Sequence, residues 1–195
     1  MKAILQRVLS STVTVNGQTV SAIGKGVLVL AAIGPDDTKK DAETMASKIV
    51  KMRLWPDESG LNWKKSVQDI EGEILCVSQF TLMANTRKGT KPDFHGAAKP
   101  EVAKELYDYF VSRVREHHGL DRVKDGVFQA MMQVSLVNDG PNLGHHRDRY
   151  ESSEEGFLEQ LQKRYWSVDA STAGDYLRYA NGLDVRSELV SYLST

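Results

Sequence analysis

The alternation of polar and apolar positions predicts a β-hairpin near the start of the chain. Residues 12–15 alternate between the two classes, and the pair Asn16-Gly17 follows them. Both residues of this pair tolerate positive φ, which suits the two-residue turn that joins antiparallel strands. Residues 19–23 are the expected return strand. The continuous apolar run at residues 26–33 predicts a strand that is buried on both faces.

Two segments repeat apolar residues every three to four positions, which predicts amphipathic helices. The stripe of the first helix consists of Ala42, Met45, Ala46, Ile49 and Val50. It follows Asp36 and Asp37, whose carboxylates are expected to cap the helix start. The second helix is predicted to begin at Pro100. Its stripe consists of Ala103, Leu106, Phe110, Val111 and Val114.

Two further strands are predicted at residues 73–83 and 127–137. Helices beside strands that mostly follow one another in the chain favour an α+β domain over a doubly wound parallel sheet. The sequence therefore predicts an α+β fold.

The hydrophobic pattern changes in the last quarter of the chain. Residues 142–149 have neither a strand nor a helix period, whereas residues 154–166 and 173–193 each fit a helix. We therefore expect one domain at residues 1–141 and a separate tail at residues 142–195.

Composition narrows the expected partners and compartment. The 195 residues carry 25 Lys and Arg against 26 Asp and Glu, a net charge of −1. This balance argues against binding of nucleic acid through bulk electrostatics alone, so any RNA contact must be local. The single cysteine, Cys76, has no partner for an internal disulfide, which predicts a reducing compartment, by default the cytosol. No apolar stretch approaches the roughly 20 residues of a membrane span.

The usual catalytic patterns are missing from the sequence. No cysteine or carboxylate stands at a metal-ligand spacing from a histidine, so no metal site is predicted. The histidines are His95, His117, His118, His145 and His146. The chain has neither a Gly-x-Ser-x-Gly nucleophile elbow nor a phosphate-binding loop, and no cofactor is expected.

Two short segments are unusual for the ends of apolar strands. Ser78 and Gln79 interrupt one strand, and a Gly-Pro pair follows another. A strand that reaches the surface and an ordinary turn explain each segment separately. Together and in this order, Ser-Gln-Phe-Thr-Leu at residues 78–82 and Asn-x-Gly-Pro at residues 138–141 resemble the two signature motifs of D-aminoacyl-tRNA deacylases.

The resemblance covers essentially residues 1–141. It also includes Gln6-Arg7-Val8, the Asn16-Gly17 hairpin, Arg87-Lys88-Gly89 with Pro92 and Phe94, residues 105–110 and residues 132–137. It implies a mostly antiparallel, barrel-like sheet flanked by two helices, in a homodimer. A related branch of deacylases, with Pro-Gln at the first motif, fits less well because Ser78 is present here.

The resemblance implies hydrolysis of the ester that joins a D-amino acid to the terminal adenosine of tRNA, and of mischarged glycyl-tRNA. Ser78, Gln79, Phe80 and Thr81 would line the catalytic pocket, with the backbone N–H groups of Phe80 and Thr81 as an oxyanion hole. Met132 would wall the adenine side. The substrate's own ribose 2′-hydroxyl would promote attack, so no side-chain nucleophile is required. A nucleophilic Thr81 is the alternative.

The resemblance also implies a chiral filter at Gly140-Pro141. In the family this pair has a cis peptide bond, enters the partner subunit's active site and leaves no room for an L side chain, so the site is complete only in a dimer. Here Asn142-Leu143 replaces the family's Val-Thr, and no apolar strand is expected to follow. Loss of that strand would expose its neighbour, loosen the Gly-Pro loop and put full activity in doubt.

Two explanations of the tail stay open. It is either a lineage-specific extension or the product of an altered reading of the gene's last segment, and the abrupt change of composition favours the second.

Two other functions also stay open. A non-catalytic relative would bind tRNA or another nucleic acid through the basic loop at residues 87–91, with salt dependence but no hydrolysis. An adaptor would use aromatic residues of the tail as an interaction face, and would lose its partner on deletion of residues 142–195. The tail aromatics concerned are Tyr165, Trp166, Tyr176 and Tyr179. The expected partners are D-aminoacyl-tRNA and a second copy of the chain, with no membrane partner.

Overall fold

The computed structural model describes residues 1–86 and 90–147, which form a six-stranded sheet with two helices. The strands are β1 (Lys2–Val15), β2 (Gln18–Ile23), β3 (Gly26–Ala32), β4 (Glu73–Ser78), β5 (Val123–Asp125) and β6 (Met132–Arg147). The helices are α1 (Lys39–Lys51) and α2 (Pro100–His118), and a 3₁₀ turn spans Phe80–Met83.

The sheet is mixed and barrel-like, with β1 pairing to three neighbours. β1 runs antiparallel to β2, β3 and β6, whereas the pairs β3–β4 and β4–β5 are parallel. The parallel pairs follow from connectivity, since α1 joins β3 to β4 and α2 joins β4 to β5, and a helical crossover returns the chain in the same direction. The predicted α+β class with two flanking helices is confirmed.

The predicted hairpin joins β1 to β2. Asn16 and Gly17 have φ of 51° and 77°, the positive values that a two-residue hairpin turn needs. β1 begins at Lys2, ten residues before the first position that the alternation predicted. Its N-terminal half pairs on both sides, with β3 and β6, so it lies in the sheet interior.

Apolar side chains pack on both faces of the sheet. The stripes of α1 and α2 are buried against β3 and β4, with Ala103 only partly covered. A smaller cluster lies on the other face of β4, as the alternation along that strand requires. Its buried members are Val8, Val13, Ile23, Leu28, Leu75 and Val77. Burial of each such side chain contributes about 1.5–3 kcal/mol.

The cap of α1 differs from the predicted one. The Oγ1 of Thr38 accepts a hydrogen bond from the backbone N–H of Asp41, and the Asp41 carboxylate accepts one from the N–H of Thr38. This reciprocal capping box places the helix start after the acidic pair. Asp37 instead accepts a 2.5 Å bond from the N–H of Gly34 and pairs with the Met1 ammonium group.

Two predicted strands have different bounds in the structure. The strand predicted at residues 73–83 ends at Ser78, because the chain turns into the 3₁₀ turn beyond Gln79. The strand predicted at residues 127–137 begins at Met132 and continues to Arg147.

The expected loss of the strand after Pro141 is therefore wrong. The backbone of residues 143–147 pairs with β1, from Leu143 opposite Gln6 to Arg147 opposite Lys2. A β ladder is made by backbone N–H and C=O groups, so it does not need the apolar sequence that was missing there. β6 crosses the proposed domain boundary at residue 141, and the division into two domains stays a prediction.

The predicted tail helices at residues 154–166 and 173–193 lie outside the described residues, as do Arg87, Lys88 and Gly89 of the basic loop. Within the described ranges, neither helix has the length and apolar character needed to cross a membrane.

Candidate functional site

The first candidate motif lies at the C-terminal end of β4. Ser78 is the last strand residue and pairs with Ala31 of β3, and the N–H of Gln79 donates to the Ala31 carbonyl at 2.7 Å. The next four residues form the 3₁₀ turn, which is closed by bonds from Leu82 to Gln79 (3.2 Å) and from Ala84 to Thr81 (3.0 Å). Polar residues are tolerated here because the buried strand ends at Ser78.

The turn presents two backbone donors. In the described part of the chain, no acceptor is bonded to the N–H groups of Phe80 and Thr81, which are the first donors of the 3₁₀ turn and have no partner within it. Both residues are exposed. Adjacent N–H groups at a turn start can bind an oxygen that carries negative charge.

Side chains around the turn hold its shape. The Gln79 amide Nε2 donates to Thr81 Oγ1 at 2.5 Å, and Lys2 Nζ donates to the Leu82 carbonyl at 3.1 Å. Among the described residues, no histidine or carboxylate is hydrogen-bonded to Ser78 or Thr81. Neither hydroxyl therefore has a base that could activate it as a nucleophile.

An aromatic pair adjoins the turn. The rings of Phe80 and Phe94 meet edge to face, with centroids 5.2 Å apart, and they are 58% and 37% exposed. Exposed aromatic faces of this kind can stack on a nucleobase. Sequence reasoning gave Phe94 no role, although its position as a lone aromatic in a polar loop could have drawn attention to it.

Met132 lies near the same end of β4, on the face of the sheet opposite the two helices. Its sulfur accepts a 3.3 Å bond from the N–H of Val127, and its side chain packs on the cluster that contains Val77. Gly126 makes this packing possible, because a Cβ at that position would lie 2.7 Å from the Met132 sulfur. The N–H of Gly126 in turn donates to the carbonyl of Cys76, two residues before Ser78.

The Gly-Pro pair lies in a bulge of β6. Asn138 pairs with Val8 and Leu143 pairs with Gln6, so residues 139–142 stand opposite one residue of β1. We call these four residues the Gly-Pro bulge. Gly140 has φ of 72°, and the Asn138 amide donates to its carbonyl.

The cis peptide bond that the resemblance implies at Gly140-Pro141 stays a prediction. The bulge accommodates its extra residues with Gly140 at positive φ, a conformation that glycine adopts without a steric penalty.

Arg7 anchors the Gly-Pro bulge. It stands on β1 opposite the bulge, and its side chain is 14% exposed. Its Nε lies 3.0 Å from the Asp139 carboxylate and donates to the Asp139 carbonyl at 3.2 Å. Its Nη1 donates to the Leu54 carbonyl at 2.7 Å, and the guanidinium lies 5.8 Å from the ring centre of Trp55.

The sheet register separates the bulge from the turn after β4. In the sheet order, β1 and β3 lie between β6 and β4, and Arg7 is level with Ile74, four residues before Ser78. With strands about 4.8 Å apart and about 3.3 Å per residue, the two motifs lie about 20 Å apart along the sheet. One subunit does not bring them together.

No group of three or more His, Cys, Asp or Glu side chains in the described ranges is arranged to hold a metal ion.

Comparison with known protein families identifies one match over most of the chain. Residues 4–143 match the family model described as D-Tyr-tRNA(Tyr) deacylase. A relative from Yarrowia lipolytica, named D-aminoacyl-tRNA deacylase, is 53% identical over 143 residues, which cover 72% of this chain and 93% of the relative. The human protein named D-aminoacyl-tRNA deacylase 1 is 50% identical over 141 residues, covering 72% of this chain and 67% of the relative.

Two solved structures are similar in fold. One, titled c-Myc DNA Unwinding Element Binding Protein, has a TM-score of 0.74 and 47% identity, and the match covers 77% of this chain and all of that one. The other, titled as a probable eukaryotic D-amino acid tRNA deacylase, has a TM-score of 0.67 and 22% identity, and the match covers 74% and 97% of the two chains.

Proposed function

Because this chain belongs to the D-Tyr-tRNA(Tyr) deacylase family, we propose that it is a hydrolase that cleaves the ester bond of D-aminoacyl-tRNA. The products are free D-amino acid and tRNA, and mischarged glycyl-tRNA is a second substrate. The observation that carries this proposal is the pair of unbonded N–H groups of Phe80 and Thr81, at the motif that the family shares.

These two N–H groups act as an oxyanion hole. They are fixed by the 3₁₀ turn before any substrate arrives, so they stabilise the negative charge on the carbonyl oxygen without reorganising. Removal of one such donor typically lowers kcat by a factor of about 10²–10³. Ser78 and Gln79 shape the pocket, and Gln79 orients the Thr81 hydroxyl.

The substrate's 2′-hydroxyl promotes attack on the ester carbonyl. This assignment is supported by the lack of a base beside Ser78 or Thr81 among the described residues. Phe80, Phe94 and Met132 receive the terminal adenosine, since aromatic and thioether surfaces suit a nucleobase.

Selection against L-amino acids depends on a homodimer. The Gly-Pro bulge lies too far from the turn of its own subunit, so it serves the turn of a partner subunit as a steric filter made of backbone. Exposed apolar residues beside the bulge support such a contact: Leu9 of β1 and Val137 of β6 are 52% and 53% exposed. Gly140 and Pro141 exclude an L side chain through the shape of the bulge.

A cytosolic location belongs to the same proposal. It is supported by Cys76, which is a free, buried thiol.

The test compares hydrolysis of D-Tyr-tRNA and L-Tyr-tRNA by the full chain. Rapid loss of the D ester with the L ester spared supports the proposal, and loss of neither ester by folded protein overturns it. The variant Thr81→Val tests the mechanism, because it keeps the backbone donor and removes the hydroxyl. We expect its kcat to stay within about threefold of the wild type. Abolished turnover with intact tRNA binding would instead make Thr81 the nucleophile.

A second candidate, nucleic-acid binding without catalysis, is favoured by the name of the 47% identical structural relative. It predicts salt-dependent binding of DNA or RNA with no hydrolysis of either ester. The same preparations, assayed for binding and for turnover, distinguish the two candidates.

A further inference from the structure

Residues 55–65 form a self-supported loop between α1 and β4, which we call the Trp63 loop. Its ends are joined by bonds between Trp55 and Lys65 in both directions, at 3.0 and 2.9 Å. Inside the loop, the Asp57 carboxylate accepts bonds from the N–H groups of Ser59 (2.9 Å) and Leu61 (3.0 Å) and from the Ser59 hydroxyl (2.6 Å). The loop is therefore ordered by its own contacts.

This ordered loop presents apolar side chains to solvent. Leu61 and Trp63 are 58% and 56% exposed. Trp63 also has φ of 61°, in the left-handed region that bulky side chains rarely adopt. Strained backbone of this kind persists where the surrounding structure enforces it, and it concentrates at binding sites.

The segment that leads into the Trp63 loop is positively charged, whereas the loop itself carries two Lys against one Asp and one Glu. Residues 48–65 carry five Lys and Arg against two Asp and Glu, in a chain whose net charge is −1. The two carboxylates are engaged within the loop, Asp57 with its own turn and Glu58 with Lys65. Arg53 and Lys64 are exposed.

The base of the loop is coupled to the Gly-Pro bulge. Arg7 donates to the carbonyl of Leu54 and lies over the ring of Trp55, while its other contacts hold Asp139. The loop thus stands beside the segment that, in the proposed function, reaches the partner subunit's catalytic turn.

We propose that the Trp63 loop binds the single-stranded end of the tRNA substrate next to its terminal adenosine. Trp63 stacks on an unpaired base, and Lys64 and Arg53 lie against the phosphates. This inference rests on the proposed function, because it requires that the terminal adenosine is bound at the catalytic turn of the partner subunit, which the Gly-Pro bulge reaches. A second copy of the chain fits this surface poorly, since a two-fold contact would place the excess of positive charge against itself.

The test uses the full chain and two esters, D-Tyr-tRNA and the minimal substrate 3′-O-D-tyrosyladenosine. For Trp63→Ala we expect KM for the tRNA ester to rise about tenfold with kcat unchanged, as loss of one base stack predicts. Hydrolysis of the adenosine ester should not change. Trp63→Phe should restore most of the lost affinity, and Leu120→Ala, which truncates another exposed apolar side chain, should have no effect.

Binding of uncharged tRNA adds a readout that does not need catalysis. Lys64→Gln should weaken this binding and reduce the slope of log K against log salt by about one. An unchanged KM for Trp63→Ala on the tRNA ester would overturn the proposal. An equal effect of Trp63→Ala on both esters would also overturn it, because that result indicates misplaced catalytic groups. Conversion of the proposed dimer to a monomer by Trp63→Ala would overturn it as well, because that result indicates a subunit contact. If the wild type cleaves neither ester, the proposed function fails, and the tRNA-binding comparison alone decides this inference.

Discussion

Truncation of Arg7 should loosen the Gly-Pro bulge while leaving the rest of the sheet folded. The side chain makes three polar contacts, two to Asp139 and one to the buried carbonyl of Leu54, and it packs over Trp55. Hydrogen bonds to charged groups contribute about 1.5–3 kcal/mol each, and they are not additive when one side chain makes them all. We therefore expect Arg7→Ala to lower the free energy of unfolding by about 3 kcal/mol.

The size of this loss can be read from urea unfolding. With an m value of about 2 kcal/mol/M, a loss of 3 kcal/mol moves the unfolding midpoint down by about 1.5 M. Protein concentration must be held constant, because the stability of the proposed homodimer would depend on it. Arg7→Lys serves as the matched control, since it keeps the charge but lacks the planar group that bonds two carbonyls at once.

A double-mutant cycle with Asp139→Ala isolates the contact to the bulge. The pair is partly buried, with side chains 14% and 26% exposed, so we expect a coupling energy of about 1–2 kcal/mol, between the ranges for exposed and buried pairs. In the hydrolysis assay, Arg7→Ala should raise turnover of L-Tyr-tRNA relative to D-Tyr-tRNA. A midpoint shift below about 0.3 M, additive single mutants and an unchanged D/L ratio would refute the role of Arg7 as the anchor.

Three further predictions concern the core. Gly26→Ala should prevent soluble expression, because its Cβ would lie 1.8 Å from the backbone carbonyl oxygen of Glu73 on the paired strand. The control is Gly24→Ala, which should express normally because its Cβ would lie 3.4 Å from the Glu73 carboxylate. Burial raises the pKa of the Cys76 thiol, so an aromatic disulfide reagent at pH 8 should label this thiol in unfolded but not in native protein. Rapid labelling of native protein would contradict the burial. Burial also raises the pKa of Asp125, against the lowering effect of the hydrogen bond from the Tyr107 hydroxyl. The folded state therefore holds the proton of the Asp125 carboxyl more tightly than the unfolded chain does. The contribution of this proton to the free energy of unfolding is complete below the unfolded pKa near 4, and it is lost as pH rises through the folded pKa. Asp125→Asn should therefore gain stability relative to the wild type as pH rises above about 4, measured by urea midpoints across pH, and a constant difference would contradict the raised pKa.

Local patterns in the sequence were sufficient for several elements. Asn16-Gly17 predicted its hairpin because few residue pairs accept positive φ at both positions. The stripes that include Met45 and Phe110 predicted both helices, since a helical period of apolar residues has little use unless one face is buried. The apolar run from residue 73 predicted β4, although the strand ends at Ser78 and not at residue 83.

Other features depend on residues that are far apart in the chain. Asp36 and Asp37 looked like a helix cap, but Thr38 forms it, because the choice between adjacent capping residues depends on where the chain enters the helix. The strand after Pro141 was not predicted, because its apolar signal is weak and its stability comes from backbone pairing with β1.

The sequence by itself determined the hairpin and the two helices, since each depends on neighbours within a few positions. The order of these elements along the chain favoured the α+β class. Only the tertiary structure decided how the motifs are placed. It set Arg7 against Asp139, 132 residues away, and put Phe94 beside Phe80. It also put the Gly-Pro bulge about 20 Å along the sheet from the turn after β4. Strand order and register set these distances, and both are chosen by packing and backbone pairing over the whole sheet, which no local pattern of residues encodes.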